Sequence, residues 1–328
     1  GLNWLQVLYQ FAAGLFIFLE SLEFVEGGRL LVIPQDGSHW LSMLAVVEKL
    51  SEKGHEIVVL APEVNWLLKE SEHYTRKIYA VPYTQEELDR RFHLFERPFL
   101  ERFVRLRARL NTTSTLFLSI CTHLLYNKEL IQYLEGSKFD AVFTDPMIPC
   151  GQIVAEYLSI PSVFFLRGIP CGLDYKALQC PNPPSYVPRL FTTNTDHMTF
   201  PQRVKNLLFS LLEIVLCDFV YAPYAKLASE FLQREITVTE LLSHGSVWLM
   251  RFDFVIDYPR PLMPNIAIIG GINCAQKELS QVGKAFIFVV LMGLVSWAAP
   301  TWWRTVLAFL LACCPWTLAA LSFTFAVC

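Results

Sequence analysis

Charge is scarce in this chain: Asp, Glu, Lys and Arg make up only 17% of its 328 residues, against about 25% in an ordinary soluble domain. Basic excess is missing too. With 27 basic and 30 acidic residues the net charge is −3, which leaves nothing to neutralise a phosphate backbone and excludes a nucleic-acid partner. The nine cysteines contain no C-x-x-C pair, and no two histidines have ligand spacing, so a zinc site is not expected. The glycine-rich dinucleotide fingerprint, the P-loop, the H-E-x-x-H helix and the G-x-S-x-G elbow are all absent. Dehydrogenase, P-loop ATPase, zinc-protease and serine-hydrolase readings lose their support, although other nucleotide chemistry stays open. No tightly bound cofactor is expected. There is no internal repeat and no low-complexity tract.

Apolar residues are abundant instead, at 53%, enough for a sizeable core with apolar surface left for lipid. Both ends are rich in them. Trp4 to Leu19 is followed by Glu20, Glu23 and Glu26; it resembles the apolar region of a signal sequence but lacks the basic start and a small-residue cleavage site. Residues 1–27 are therefore read as a signal-like segment. At the other end, Ala285 to Ala299 and Val306 to Val327 are near-continuous apolar stretches broken by Pro300, Arg304 and Pro315. Residues 282–328 read as an apolar tail with transmembrane helices, and the membrane is an expected partner; the competing reading is a buried core helix. A disulfide between Cys171 and Cys180 across a Pro-rich loop is one use of the cysteines, and isolated buried thiols are the other.

Between these ends, strand-like and helix-like segments alternate. Arg29 to Pro34 (RLLVIP) suits a buried parallel strand. Trp40 to Lys53 carries apolar residues at helical spacing and is stopped by Gly54. His55 to Ala61 is the next strand, completing a βαβ unit. Lys77 to Pro82 is a weaker third strand, and Gln85 to Leu134 reads as mostly helical. Within it, Arg102, Arg105, Arg107 and Arg109 interleave with Phe103, Val104, Leu106 and Leu110, as on a plain surface helix or a basic helix resting on a membrane. Phe139 to Thr144 is a fourth strand, Gly151 to Leu158 a helix and Pro161 to Leu166 a fifth strand. Residues 171–201, rich in Pro, Asn and Thr, read as a long loop. Gln202 to Leu216 and Tyr224 to Leu232 read as two helices, Val247 to Arg251 and Asn265 to Gly270 as strands. The pattern predicts an α/β fold: a Rossmann-like, doubly wound parallel sheet over residues 28–281 with helices on both faces.

Such a sheet binds ligands at the carboxyl ends of its strands, where strand order reverses. His39 lies just after the first strand, in Asp36-Gly37-Ser38-His39-Trp40, and Asp145 lies just after the fourth. The topology places them across one crevice. A neutral imidazole takes a proton at physiological pH, and a carboxylate on its other nitrogen fixes the tautomer. The alternative for His39 is a capping or packing residue. His55, His73, His93, His123, His197 and His244 have no comparable partner in the sequence pattern, and Asp36 is assigned to the turn that starts the helix. Ser38 makes no hydrolase with its neighbour. Asn111-Thr112-Thr113 is a glycosylation sequon, meaningful only in a secretory lumen.

The segments GRLLVIPQDGSHWLSM, FDAVFTDP, ALQCPNPPSYVPRLFTTNTDHMTFPQRVKN, SVWLMRFDFVIDYPRPLMPN and IGGINC resemble the first half of the UDP-glucuronosyltransferases, most closely their 1A subfamily, from about Gly28 to Gln281. The resemblance implies the N-terminal, acceptor-binding domain of a GT-B glycosyltransferase. It implies that His39 is the general base for a hydroxyl of a lipophilic acceptor, that Asp145 orients it, and that UDP-glucuronic acid is the co-substrate. It also implies an endoplasmic-reticulum membrane setting with the main domain in the lumen, and association with copies or other family members. The donor signatures of the family, a His-Ala-Gly-Ser-His-Gly type segment, a W-x-P-Q segment and an Asp-Gln pair, are not in these residues. The chain by itself is therefore expected to be inactive. The alternatives are a non-catalytic protein that binds and modulates full-length relatives, and a lipid or steroid carrier.

Overall fold

The computed structural model describes residues 27–96, 115–169, 172–189, 192–254 and 257–272. The signal-like segment before Gly27, the arginine-bearing stretch 102–110, the Asn111 sequon, Cys171 and the apolar tail 282–328 lie outside the described residues. Contacts divide the chain into Gly1–Gly270 and Gly271–Cys328, and the elements below all belong to the first unit.

In chain order the elements are β1 (Arg29–Ile33), α1 (Ser38–Glu52), β2 (Glu56–Pro62), β3 (Thr75–Tyr79), α2 (Gln85–Glu96), α3 (helical residues 115–125), α4 (Lys128–Gly136), β4 (Ala141–Thr144), α5 (Cys150–Leu158), β5 (Ser162–Leu166), α6 (Leu173–Ala177), α7 (Phe200–Leu232), α8 (Val238–Ser243), β6 (Val247–Met250) and β7 (Ile266–Ile268). The strands form one sheet in the order β3-β2-β1-β4-β5-β6-β7, and every pairing is parallel. The α/β doubly wound sheet expected from the alternation is therefore present. Strand order reverses between β1 and β4, and the register Ile33↔Thr144 brings their last residues side by side.

The strands are apolar runs because both faces of the sheet are covered. All of β2 except Glu56 is buried, as are the last three residues of β1. Each such aliphatic side chain contributes about 1.5–3 kcal/mol of burial. Helix α1 packs Trp40, Met43 and Val47 inward at helical spacing. It ends as its sequence predicts: Gly54 takes φ 90, and its N–H and that of His55 bond back to Ser51 and Leu50 at 2.9 and 3.2 Å.

Three expectations are corrected. The two helices predicted at Gln202–Leu216 and Tyr224–Leu232 are one helix, α7, of 33 residues with Pro223 inside it. Proline removes one helical donor, but Tyr221, Tyr224, Leu227 and Ala228 on either side are buried in the core, and that packing outweighs one lost bond. Its start is marked by Gln202, whose Oε1 accepts from the Thr199 N–H at 2.8 Å. The stretch 171–201 is not a bare loop: it contains α6, and two side chains organise the rest. Arg189 donates to the side chain and carbonyl of Asn182 at 2.6 and 2.7 Å, and fully buried Asn206 donates to the carbonyls of Pro184 and Val187 at 2.7 and 2.9 Å. Among the described residues a disulfide joins Cys121 to Cys150. Cys180 is a free, buried thiol, so the Cys171–Cys180 pairing does not form. Among the described residues no helix is long and apolar enough to cross a membrane.

Candidate active site

The site grows from the end of β1. After Ile33 the chain leaves the sheet, and Gly37 adopts φ 91, a conformation open to glycine, before α1 begins at Ser38. This puts His39 in the first turn of α1. Asp36, assigned from sequence to the helix start, does not cap it. Its carboxylate instead accepts from the backbone N–H groups of Gly37, Trp66 and Leu67 at 2.7, 2.6 and 3.1 Å. It clamps the β1–α1 loop to the loop after β2.

Asp145 follows β4 by one residue. Thr144 donates from Oγ1 to the Ile33 carbonyl at 2.6 Å, stitching β1 to β4 at the point of reversal. Asp145 Oδ1 accepts from the Met147 N–H at 2.9 Å, which turns its other oxygen outward. Oδ2 meets His39 Nδ1 at 2.5 Å. The two side chains come from positions 106 residues apart. The carboxylate side chain is 2% exposed and the imidazole 31%. The histidine therefore keeps its second ring nitrogen for a ligand while a buried carboxylate holds the first. A carboxylate on Nδ1 selects the tautomer whose Nε2 is the proton acceptor.

Beside the pair lies a mostly apolar cavity at the carboxyl ends of β1 to β4. Ile33, Leu68, Tyr79, Leu88, Ile120, Leu124 and Ile148 line it, with Asp36 and Asp145 supplying carboxylates. Both cysteines of the disulfide line it too, so the bond ties α3 to the start of α5 as part of the wall. Burial pushes the Tyr79 phenol far above its ordinary range, so it stays neutral there. Its composition, apolar with a few convergent polar groups, is that of a small-molecule site.

Of the remaining histidines, His244 was expected to lack a carboxylate partner but sits 3.0 Å from Glu156. That pair is at the surface, far along the sequence from the crevice, beside the Arg234–Glu156 ion pair. His55 accepts from the Gly28 N–H at 3.0 Å and His123 meets the Ser119 carbonyl at 2.8 Å, both structural uses. Two residues of the crevice escaped the sequence reading. Arg251, directly after β6, bonds through its guanidinium to Ser42 of α1. The only signal for it was an arginine placed just past a strand that ends at the same edge. Among the described residues no cluster of three or more His, Cys, Asp or Glu could hold a metal ion.

Comparison with known proteins bears on this geometry. Human UDP-glucuronosyltransferase 1A3 is 52% identical over 283 residues, covering 84% of this chain and 53% of that protein. Human UDP-glucuronosyltransferase 1A1 is 53% identical over 267 residues, 79% of this chain and 50% of that protein, and the rat 1A1 enzyme gives the same figures. The chain spans about half the length of the curated relatives it matches. Among solved structures, the glycotransferase of kitacinnamycin matches at TM-score 0.42 and 12% identity, over 78% of this chain and 54% of that one. Spinosyn forosaminyltransferase SpnP matches at 0.40 and 16%, over 74% and 50%. The family model "UDP-glucoronosyl and UDP-glucosyl transferase" matches residues 28–290, and on that match, with relatives at half identity, the chain belongs to this family.

Proposed function

We propose that residues 28–281 are the acceptor-binding half of a glucuronosyl-transfer enzyme and that His39 is its general base. The observation that supports this most is the 2.5 Å contact between His39 Nδ1 and Asp145 Oδ2, with Asp145 in the wall of an apolar cavity. A lipophilic alcohol or phenol lies in the cavity with its hydroxyl toward His39. Nε2 takes the hydroxyl proton as the oxygen attacks the anomeric carbon of UDP-glucuronic acid. The new carbon–oxygen bond forms as the bond to UDP breaks, with inversion, and UDP departs with the electron pair. Asp145 stabilises the imidazolium that forms. Holding both substrates in near-attack geometry requires donor contacts, and the donor signatures named above are not among these residues, so transfer is expected only when a donor-binding half is supplied.

The cellular setting follows the same reading. A disulfide persists in oxidising compartments, so the Cys121–Cys150 bond supports placing this domain in the lumen of the endoplasmic reticulum, where the Asn111 sequon would be glycosylated. The test of the chemistry joins the chain at Gln281 to the donor half of human UDP-glucuronosyltransferase 1A1 and follows transfer to 4-nitrophenol. Transfer that depends on His39 supports the reading, and transfer retained by His39→Ala overturns it.

One observation favours a second reading, association with full-length relatives without catalysis. The first half of α7 carries an exposed apolar stripe of Phe200, Val204, Leu207, Leu208 and Leu211, with Phe200 80% exposed, and such patches mark interaction sites. Co-expression with a complete relative decides: no co-purification and unchanged partner activity remove this reading.

A further inference from the structure

The carboxyl ends of β4, β5 and β6 each carry a charged residue directly beyond the strand: Asp145, Arg167 and Arg251. Their neighbourhood follows from the register. Leu166 pairs with Met250, and the Arg251 N–H donates to the Leu166 carbonyl at 2.7 Å, so the two arginines leave adjacent strands at one level. Thr144 pairs with Phe164 on the other side of β5. From this edge the Arg251 guanidinium reaches across the crevice to the hydroxyl of Ser42. Ser42 stands three residues after His39 on α1, is buried, and donates to the Ser38 carbonyl at 3.2 Å.

We propose that Arg251 is a positioning residue for the His39–Asp145 pair, tying α1 at Ser42, one residue beyond its first turn, to the carboxyl edge of the sheet. This rests on the reading of His39 as the base. The tether adds a polar link between α1 and the carboxyl end of β6 to the apolar packing of Trp40, Met43 and Val47 that seats the helix. Burial pulls the Arg251 guanidinium down from its ordinary range, the Asp145 carboxylate pushes it back up, and Arg167 pulls it down again. The other titratable groups facing the pair are Asp36, which shares the cavity with Asp145, and Tyr221 of α7, whose neutral phenol donates to the Met147 carbonyl at 3.3 Å.

Site-resolved carbethoxylation tests this on the 328-residue chain without any transfer assay. Peptide mass spectrometry gives the modification rate of each histidine at one fixed pH, and the six others are internal controls. In Arg251→Gln His39 is expected to modify roughly 3- to 10-fold faster than in the parent chain, the effect of losing one hydrogen bond from a charged group that holds its helix. Ser42→Ala removes the same tether from the other side and is expected to give a similar factor, and Arg251→Lys, which keeps a donor at this position, returns the rate toward that of the parent chain. A His39 rate that changes no more in Arg251→Gln than those of the control histidines overturns the proposal. If Arg251→Gln does not fold, an unchanged His39 rate in Ser42→Ala overturns it instead. A loss of the base reading is separate, since it appears as transfer retained by His39→Ala whatever the modification rates do.

Discussion

At the scale of single residues the dyad is an asymmetric pair: a carboxylate sealed in the protein and an imidazole that is part-exposed. That asymmetry predicts unequal mutational outcomes. In the donor-supplemented enzyme, His39→Ala is expected to lower kcat by roughly 100- to 10,000-fold, the usual worth of a positioned general base. Asp145→Asn keeps the shape but presents an amide to Nδ1, and is expected to lower kcat with little change in acceptor KM; a raised KM at constant kcat would argue that Asp145 only shapes the cavity. A second buried carboxylate acts on stability. Asp174 is pushed up to about 6 by burial, with Arg260 opposing the shift from 3.9 Å. Between the unfolded value near 4 and about 6, the folded chain holds a proton that the unfolded chain has released. Stability contributed at Asp174 is thus fully present below that window and falls as pH rises through it, by up to about 3 kcal/mol for two units. Melting curves at pH 4.5 and 6.5 should show the parent chain losing ground to Asp174→Asn at the higher pH.

At the scale of elements, the start of α5 is pressed against the end of β4. A Cβ on Gly151 would overlap the Thr144 side chain, the one that joins β4 to β1 beside Asp145. Gly151→Ala is expected to cost about 1–3 kcal/mol, read as a lower melting temperature, and to loosen the dyad; an unchanged melting temperature would show that α5 can shift away. The disulfide binds α3 to the same helix over a separation of 29 residues. Cys121→Ser is expected to destabilise by about 3 kcal/mol, measured by denaturant unfolding, with the same loss when the parent chain is reduced. Elements with strong local signals were readable beforehand: β1, β2 and β4 from short apolar runs, and α1 from its apolar spacing and Gly54. The stretch between Leu216 and Tyr224 carries no such signal, because Pro223 weighs against a helix locally, whereas the buried flank of α7 that keeps it whole is supplied by distant parts of the chain. The Cys121–Cys150 pairing was unreadable for the same reason, since nothing near either cysteine points to the other.

At the scale of the whole molecule, the sheet gathers the carboxyl ends of its strands into one edge, and the cavity, the dyad and both arginines lie along it. On the proposed reading a donor-binding half completes this site from outside. The 328-residue chain is accordingly expected to show no binding of UDP-glucuronic acid by calorimetry; micromolar binding would place the donor contacts in this half. Replacing Leu207, Leu208 and Leu211 by polar residues should leave the melting temperature within about 2 °C, because exposed side chains contribute little to folding, while abolishing any co-purification with a full-length relative.

By itself the sequence determined the alternation of strands and helices, the parallel sheet that follows from it, and the two residues that bracket the reversal of strand order. These are legible because hydrophobic periodicity and turn residues act locally, and topology then restricts where a strand can end. Only the tertiary structure decided that Asp36 clamps a neighbouring loop, that Cys121 meets Cys150, that α7 runs through its proline, and that Arg251 crosses to Ser42. Each of these depends on groups brought together from distant parts of the chain or on packing against them, and separation along a chain carries no record of approach in space.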